Sequence, residues 1–385
     1  MIPGPIELEP EVLAEMGKPL VAHYGREWAQ FFKETVELLK RVMLAQRARV
    51  YLIVGPGSAA LDAAIGNTIT ACAAGEAHSE GKILVLSNGF FGERLRQIAC
   101  SYLPQDRVVV LGAPLGEPID PQRVEEALKR ESAIRVVTLV HCETSTGVLN
   151  PVCDIAQICR SHEAISIVDA VSSLGGAELR FDEWGIDILV SATQKGLECP
   201  PGLAPLAISH RAWELIKSGQ SRGWYLNLRT WQRYLEEWGE WHPHPVTMPS
   251  GLMQALHLSL SKIIDEGLEE RWGRHERIAR LLRKGLSALG LKPLAPEGYA
   301  SPTVTAAWAH ERMEAERLLK YLKERHGIMI AGGLAELAGK TIRIGHMGPT
   351  ARLDGIIPLL FGIEEALREA GVPIEAGKSL QSLEV

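Results

Sequence analysis

The chain of 385 residues contains no uninterrupted apolar stretch near the roughly 20 residues that a membrane-spanning helix needs, so no membrane is expected as a partner. It has no basic tail and no Lys/Arg stripe interleaved with aromatics. Its 41 basic and 47 acidic residues give a formal charge of −6, which argues against nucleic acid. The first ten residues, MIPGPIELEP, lack the charged-then-apolar pattern of a secretory signal. Only six cysteines occur, scattered as Cys72, Cys100, Cys142, Cys153, Cys159 and Cys199. That fits buried thiols in a reducing, cytoplasmic compartment better than a disulfide framework. No Cys/His cluster has zinc-site spacing: His242 and His244 have no second ligand pair nearby, and no metal is expected. GxGxxG and GK[ST] are both missing. The glycine-rich run is GPGSAA at 55–60, which disfavours a nicotinamide or P-loop nucleotide site.

The sequence does have apolar content, 46%, enough for large cores and more than one lobe. After a Pro/Gly-punctuated start with a short helix following Pro10, an amphipathic helix is expected over 27–47. Strands are expected at 50–54, 82–87, 107–111, 135–140, 165–168 and 186–191. Helices intervene, among them one from the GPGSAA turn to about Ala74 and one over 121–130 capped by Asp120. This alternation predicts an α/β domain with a mostly parallel sheet covered by helices. Two long helices follow, at about 250–270 and 272–288. From about 292 the pattern restarts as a smaller α+β lobe: strands 302–309, 327–331 and 341–345, helices 311–326 and 352–370. The implied division is an N-terminal arm (1–20), a large domain (21–255), linking helices (256–291) and a small C-terminal domain (292–385).

Five local features could carry chemistry, and each has an ordinary alternative. Lys195 follows the apolar strand ILV in a Gly/Pro-bounded turn, where an amine can face a cleft, although most lysines are surface charges. Asp169 closes a very apolar strand, costly without a partner, at the edge where open α/β sheets bind ligands. Gly57, Ser58 and Ala59 open a helix after a strand, which makes an anion site or an ordinary tight turn. Phe90 and Phe91 can stack on a planar ring or plug the core. Arg343, within the strand TIRIG, can fork onto a carboxylate or snorkel to solvent. Together they match the needs of pyridoxal phosphate: an amine for the aldehyde, a carboxylate for the ring nitrogen, donors for the phosphate and an apolar face for the ring.

The chain also resembles the fold-type I, class V aminotransferases, in the alanine–glyoxylate and serine–pyruvate or serine–glyoxylate branch. The matching runs include GPGSAALD at 55–62, SNGFFGER at 87–94, HCETSTGVLNP at 141–151, VDAVSSLGG at 168–176, SATQKGLECPPGL at 191–203, HPVTMP at 244–249 and GGLAELAGKTIRIGHMG at 332–348. The resemblance implies a seven-stranded, mostly parallel sheet in the large domain, with a smaller C-terminal α+β domain. It implies Lys195 as the Schiff-base lysine and Asp169 as the partner of the pyridine nitrogen. Phe91 takes the place of a ring-stacking aromatic, commonly tryptophan. Thr144 and Val171 flank the ring, Gly57, Ser58 and Ala59 hold the phosphate, and Gln194 lies nearby. Thr247 corresponds to a phosphate contact from a neighbouring subunit, hence a homodimer with shared sites. His244 stands where the mammalian-like pattern has tyrosine. Arg343 would clamp the substrate α-carboxylate, with Gly4, Pro5 and Thr144 beside the substrate. The implied reaction is ping-pong transfer from a small donor, alanine or serine, to glyoxylate or pyruvate. Donors such as 2-aminoethylphosphonate or pyridoxamine, a class V lyase and a non-enzymatic scaffold are the alternatives. A cysteine desulfurase would need a late reactive cysteine, and none follows Cys199.

Overall fold

The computed structural model describes residues 1–73, 81–219 and 223–383. The expected helix end at Ala74 lies outside them. Seven strands form the main sheet: β1 (Arg49–Val54), β2 (Lys82–Ser87), β3 (Val108–Gly112), β4 (Ile134–Val140), β5 (Ile165–Asp169), β6 (Ile188–Val190) and β7 (Leu203–Ile208). Their order across the sheet is β1-β7-β6-β5-β4-β2-β3. Only β7 runs against the others, pairing antiparallel with both β1 and β6. The sequence pattern missed β7, because Pro205 reads as a break in LAPLAI. Proline costs the ladder one donor, but the Pro205 carbonyl still accepts Ser191 N–H at 2.9 Å.

The central strands are apolar on both faces, as a doubly covered sheet requires. Leu52, Leu84, Val137, Val168 and Leu189 enter one buried cluster, which includes the helices Arg26–Met43 and Ser250–Glu266. Ile53, Ile83, Val85, Ile167 and Ile188 enter another, together with the helices Gly57–Ala73 and His210–Ser218. Asp120 caps the helix Pro121–Arg130 as expected, accepting Gln122 N–H at 2.9 Å.

The smaller lobe has three antiparallel strands, β8 (Val304–Trp308), β9 (Ala331–Gly332) and β10 (Thr341–Gly345), with β10 in the middle. The strand expected over 327–331 is reduced to β9, for the residues before Ala331 pair with no strand. The helices Leu268–Ala288, Ala315–His326 and Leu353–Glu369 supply the core of this lobe. The architecture is thus a large α/β domain with a mostly parallel seven-stranded sheet, plus a smaller C-terminal α+β domain.

The N-terminal arm joins the two lobes. Gly345 N–H donates to the Met1 carbonyl at 2.9 Å, and Ile6 N–H donates to the Gln194 carbonyl at 3.2 Å. The helix Pro10–Met16 then packs on the helix Ser250–Glu266.

Candidate active site

The carboxyl ends of the parallel strands converge on one region, where open α/β sheets place their ligands. β1 delivers Gly57 and Ser58, β2 leads to Phe91, β4 to Cys142 and Thr144, β5 ends in Asp169, and β6 leads to Lys195. All of these line one cavity of about 300 Å³. Gly4, Val171 and Gln194 line it too, and so do Arg94 and Ser172, which the sequence did not single out.

Lys195 is held from the arm side by a hydrogen bond from its Nζ to the Pro3 carbonyl. Gly4 has φ +109°, a conformation that favours glycine, and a Cβ there would lie 2.6 Å from Lys195 Nζ. Burial pushes the amine down to about 8. Arg343 and Arg94 contribute to that lowering, and Cys142 and Asp169 oppose it. The result is an amine whose neutral form is reached well below the ordinary lysine range.

Asp169 is buried, and among the described residues its carboxylate forms no ion pair. Its Oδ1 accepts Val171 N–H at 2.9 Å. The carboxyl is raised to about 6, chiefly by burial, with Glu143 contributing to the rise and the Val171 N–H, Arg94 and Lys195 opposing it. A buried acid with one bonded oxygen, facing a cavity, suits a cationic ring nitrogen.

At another part of the wall, Gly57 and Ser58 open the helix Gly57–Ala73, so their N–H groups have no acceptor within it. Ala59 N–H instead donates to the Pro56 carbonyl at 2.8 Å. A Cβ on Gly57 would come within 2.8 Å of Val171 Cγ2, so the backbone is bare here because space demands it. Gln194 Oε1 is buried without a hydrogen-bond partner among the described residues. Thr144 Oγ1 donates to Ser172 Oγ at 2.6 Å. The Arg94 guanidinium lies 4.8 Å from the Phe91 ring centroid. This donor set fits pyridoxal phosphate: an amine, an unpaired acid, helix-terminal N–H groups and an aromatic wall.

Ala59, His244, Thr247, Pro5 and Arg343 are not on the cavity wall. His244 is fully buried, with both ring nitrogens in use: Trp28 Nε1 donates to its Nε2 at 2.8 Å, and its Nδ1 bonds the Val246 carbonyl at 2.7 Å. Burial lowers this imidazole to about 3, so it is neutral. Thr247 is exposed. Arg343 sits in β10, 8% exposed, with its Nε donating to the Gly332 carbonyl at 2.8 Å. Burial lowers its pKa, and Glu143 opposes that.

Glu143 carries no signal of its own in the sequence, because its role depends on the fold. It lies in a short hairpin, Cys142–Glu143 with Val148–Leu149. Its buried carboxylate accepts the N–H groups of Phe91 and Gly92, both at 3.0 Å, at the start of the helix Phe90–Tyr102. Cys142 adds a thiol to the wall, raised by burial to about 11 and donating to Ser301 Oγ at 3.0 Å.

Comparison with known proteins agrees with this geometry. The family model described as Aminotransferase class-V matches residues 15–347. An uncharacterized aminotransferase of Methanocaldococcus jannaschii is 38% identical over 376 residues, 97% of this chain and 94% of that protein. The crystal structure of pyridoxamine–pyruvate aminotransferase from Mesorhizobium loti superposes with a TM-score of 0.92 at 30% identity, covering 99% of this chain and 95% of that one. That of alanine–glyoxylate aminotransferase from Nostoc sp. has a TM-score of 0.88 at 31% identity, covering 96% and 94%. The match spans both lobes and every strand that feeds the cavity, and the chain belongs to the class V, fold-type I family of pyridoxal-phosphate aminotransferases.

Proposed function

We propose that the protein is a pyridoxal-phosphate-dependent aminotransferase that moves the amino group of a small L-amino acid, alanine or serine, to glyoxylate or pyruvate. The observation that carries this reading is one cavity holding both a buried lysine pushed towards neutrality and a buried acid that forms no ion pair among the described residues.

When bound, the cofactor supplies an electron sink for a carbanion at the donor's α-carbon. Lys195 Nζ would hold the aldehyde and carry the α-proton. Asp169 would keep a proton at the ring nitrogen by charge complementarity. Gly57 and Ser58 would hold the phosphate, with Gln194 beside them, and Ala59, whose N–H is spent on the Pro56 carbonyl, would brace the turn from behind. Phe91, Thr144 and Val171 would enclose the ring. Arg343 would align the carboxylate that donor and acceptor share. Gly4 and Pro5 would limit the room for the donor's side chain. The likeness to alanine–glyoxylate aminotransferase supports the small donor. The likeness to pyridoxamine–pyruvate aminotransferase favours a second reading, in which pyridoxamine is the donor. A donor–acceptor matrix with purified holoenzyme tests both. Pyruvate and glycine formed from alanine and glyoxylate support the first reading. Turnover of pyridoxamine alone overturns it.

We also infer a homodimer with sites shared between subunits. Leu20 (84% exposed), Tyr24, Trp241 and the exposed Thr247 support a covered surface near the arm. Thr247 would then face the neighbouring cofactor's phosphate from beyond this chain's own cavity, whereas His244, with both ring nitrogens bonded to Trp28 and Val246, would support that turn without touching the phosphate. Light scattering giving a monomer mass would refute it. A cytoplasmic location agrees with six free thiols. Among the described residues no helix is long and apolar enough to cross a membrane. The division at about residues 20, 255 and 291 is retained as the proposed domain organisation.

A further inference from the structure

The helix Leu268–Ala288 carries three polar side chains that the proposed reaction does not use: Arg271, Arg274 and His275. Arg271 and His275 are 2% and 0% exposed. The Arg271 guanidinium spreads in four directions. Its Nε donates to the Gly175 carbonyl at 2.5 Å, and one terminal nitrogen donates to the Gly196 carbonyl at 3.0 Å and to the Glu198 carboxylate. The other donates to Glu266 Oε2 at 2.7 Å. Gly175 lies on the turn that follows Asp169, and Gly196 follows Lys195 directly. One cation therefore ties the segment of the acid to the segment of the amine. Only a planar fork of five donors can serve these acceptors together. Two carboxylates compensate its burial. Glu198 adopts a left-handed φ of 51°, a conformation that persists where surrounding bonds over-determine it.

Three residues on, Arg274 bonds the same Glu266, from Nε to Oε1 at 2.6 Å. It also donates to the Gly348 and Ala351 carbonyls, each at 3.0 Å. His275 Nε2 accepts Gly348 N–H at 3.0 Å, which leaves its Nδ1–H to donate to the Arg271 carbonyl at 2.8 Å. Gly348 lies in the turn just after β10, the strand of Arg343. A continuous polar path thus runs from the carbonyl beside Lys195, through Arg271, Glu266 and Arg274, to the lobe that carries Arg343.

We propose that Arg271 is a positioning residue for Lys195, and that Arg274, through Glu266 and the Gly348 turn, separately fixes the small lobe's carboxylate-binding arginine against the same helix. The proposal rests on the proposed roles of Lys195 as the cofactor-binding lysine and of Arg343 at the substrate carboxylate. It assigns separate consequences to the two arginines. Arg271 acts on the amine, while Arg274 acts on the seat of the substrate carboxylate.

The test compares purified holoenzymes of wild type, Arg271→Gln, Arg271→Lys and Arg274→Gln. Three readouts are taken: the pH midpoint of the lysine-linked cofactor's absorption, kcat and the donor KM. Arg271→Gln is expected to shift the midpoint by about half a pH unit or more. It should also lower kcat about tenfold, with KM changed less than twofold. Arg271→Lys keeps the charge but cannot span both carbonyls, so it should not restore the midpoint. Arg274→Gln should raise the donor KM severalfold and leave the midpoint alone. A role confined to stability would lower the melting temperature and move neither the midpoint nor the kcat-to-KM split. A folded Arg271→Gln holoenzyme with wild-type midpoint and kcat overturns the proposal. Where that variant does not fold, Arg271→Lys decides, and wild-type values there overturn it equally. An unchanged KM in Arg274→Gln overturns the path to the small lobe. A wild-type protein that takes up no cofactor through Lys195 refutes the functional reading instead, before any variant is compared.

Discussion

Glu143 Oε2 accepts the backbone N–H of Phe91 at 3.0 Å, and through this bond the hairpin carrying Thr144 is fastened to the helix carrying Phe91 and Arg94. The same oxygen takes Gly92 N–H at 3.0 Å, and Oε1 takes Ser145 N–H at 3.0 Å together with the Ser145 hydroxyl. Burial raises the pKa of this carboxyl, and four donors oppose the rise. The positive end of the helix favours the anion as well.

Replacing Glu143 with glutamine keeps the shape but turns one acceptor into a donor facing other donors. The expected loss is roughly 2–3 kcal/mol of folding stability, the range for a buried charged hydrogen-bonding group left mismatched. Denaturant unfolding of the cofactor-free protein measures it. A change under about 0.5 kcal/mol would remove Glu143 from its place as the clamp between hairpin and helix.

Lys195→Ala should abolish the absorption of the lysine-linked cofactor and reduce multiple-turnover transfer by at least about a thousandfold, at the scale of losing a positioned proton carrier. Since Ala leaves the Pro3 carbonyl without its donor, the melting temperature is a necessary control. Normal turnover in the folded variant would be incompatible with the assignment.

The Lys195 amine, lowered to about 8, sets a pH dependence. Only the neutral amine attacks an aldehyde, so cofactor uptake by the cofactor-free protein should rise about tenfold per pH unit below the midpoint and level off above about pH 8. Stopped-flow absorption over pH 6–9.5 is the measurement. A midpoint near the ordinary lysine value would show that burial does not act on this amine in solution.

Lys195 and Asp169 were legible because each is a polar residue just beyond or at the end of a strongly apolar strand, a contrast visible in one dimension. The helix start at Gly57 and Ser58 on the cavity wall was legible for a similar reason, as a strand, glycine-rich turn and helix in succession. Glu143, Arg94 and Arg271 were not. Glu143 sits in a polar run, and its acceptors' partners are 51 and 52 residues away. Arg94 reads as one more polar residue of a helix start. Arg271 belongs to LEERWGRHERIARLL, whose charges read as a solvated face until the fold buries one of them. Strand β7 was hidden by Pro205, because a proline argues against an interior strand, and β7 is flanked on both sides. His244 illustrates the opposite limit: the motif placed it near a phosphate, whereas within the chain its ring is spent on Trp28 and Val246.

Asp169→Asn should separate what the acid does for catalysis from what it costs the fold. Its carboxyl rises from 3.8 to about 6, chiefly through burial. A folded-state pKa above the unfolded one means that the group's stabilising contribution is complete below about 3.8 and is lost as pH rises through about 6. Above that window the ionised acid costs the cofactor-free protein about 3 kcal/mol relative to a neutral side chain of the same shape. Asparagine keeps an oxygen for Val171 N–H and carries no charge. The variant should therefore melt at a higher temperature than wild type at pH 8, with the advantage shrinking through pH 6 and vanishing near pH 4. Its holoenzyme should nevertheless transfer amino groups at least about a hundredfold more slowly, because the ring nitrogen loses its anionic partner. Calorimetry of the cofactor-free proteins and kcat of the holoenzymes read the two effects independently. Equal melting at pH 8 would refute the burial cost, and an unchanged kcat would refute the electron-sink role.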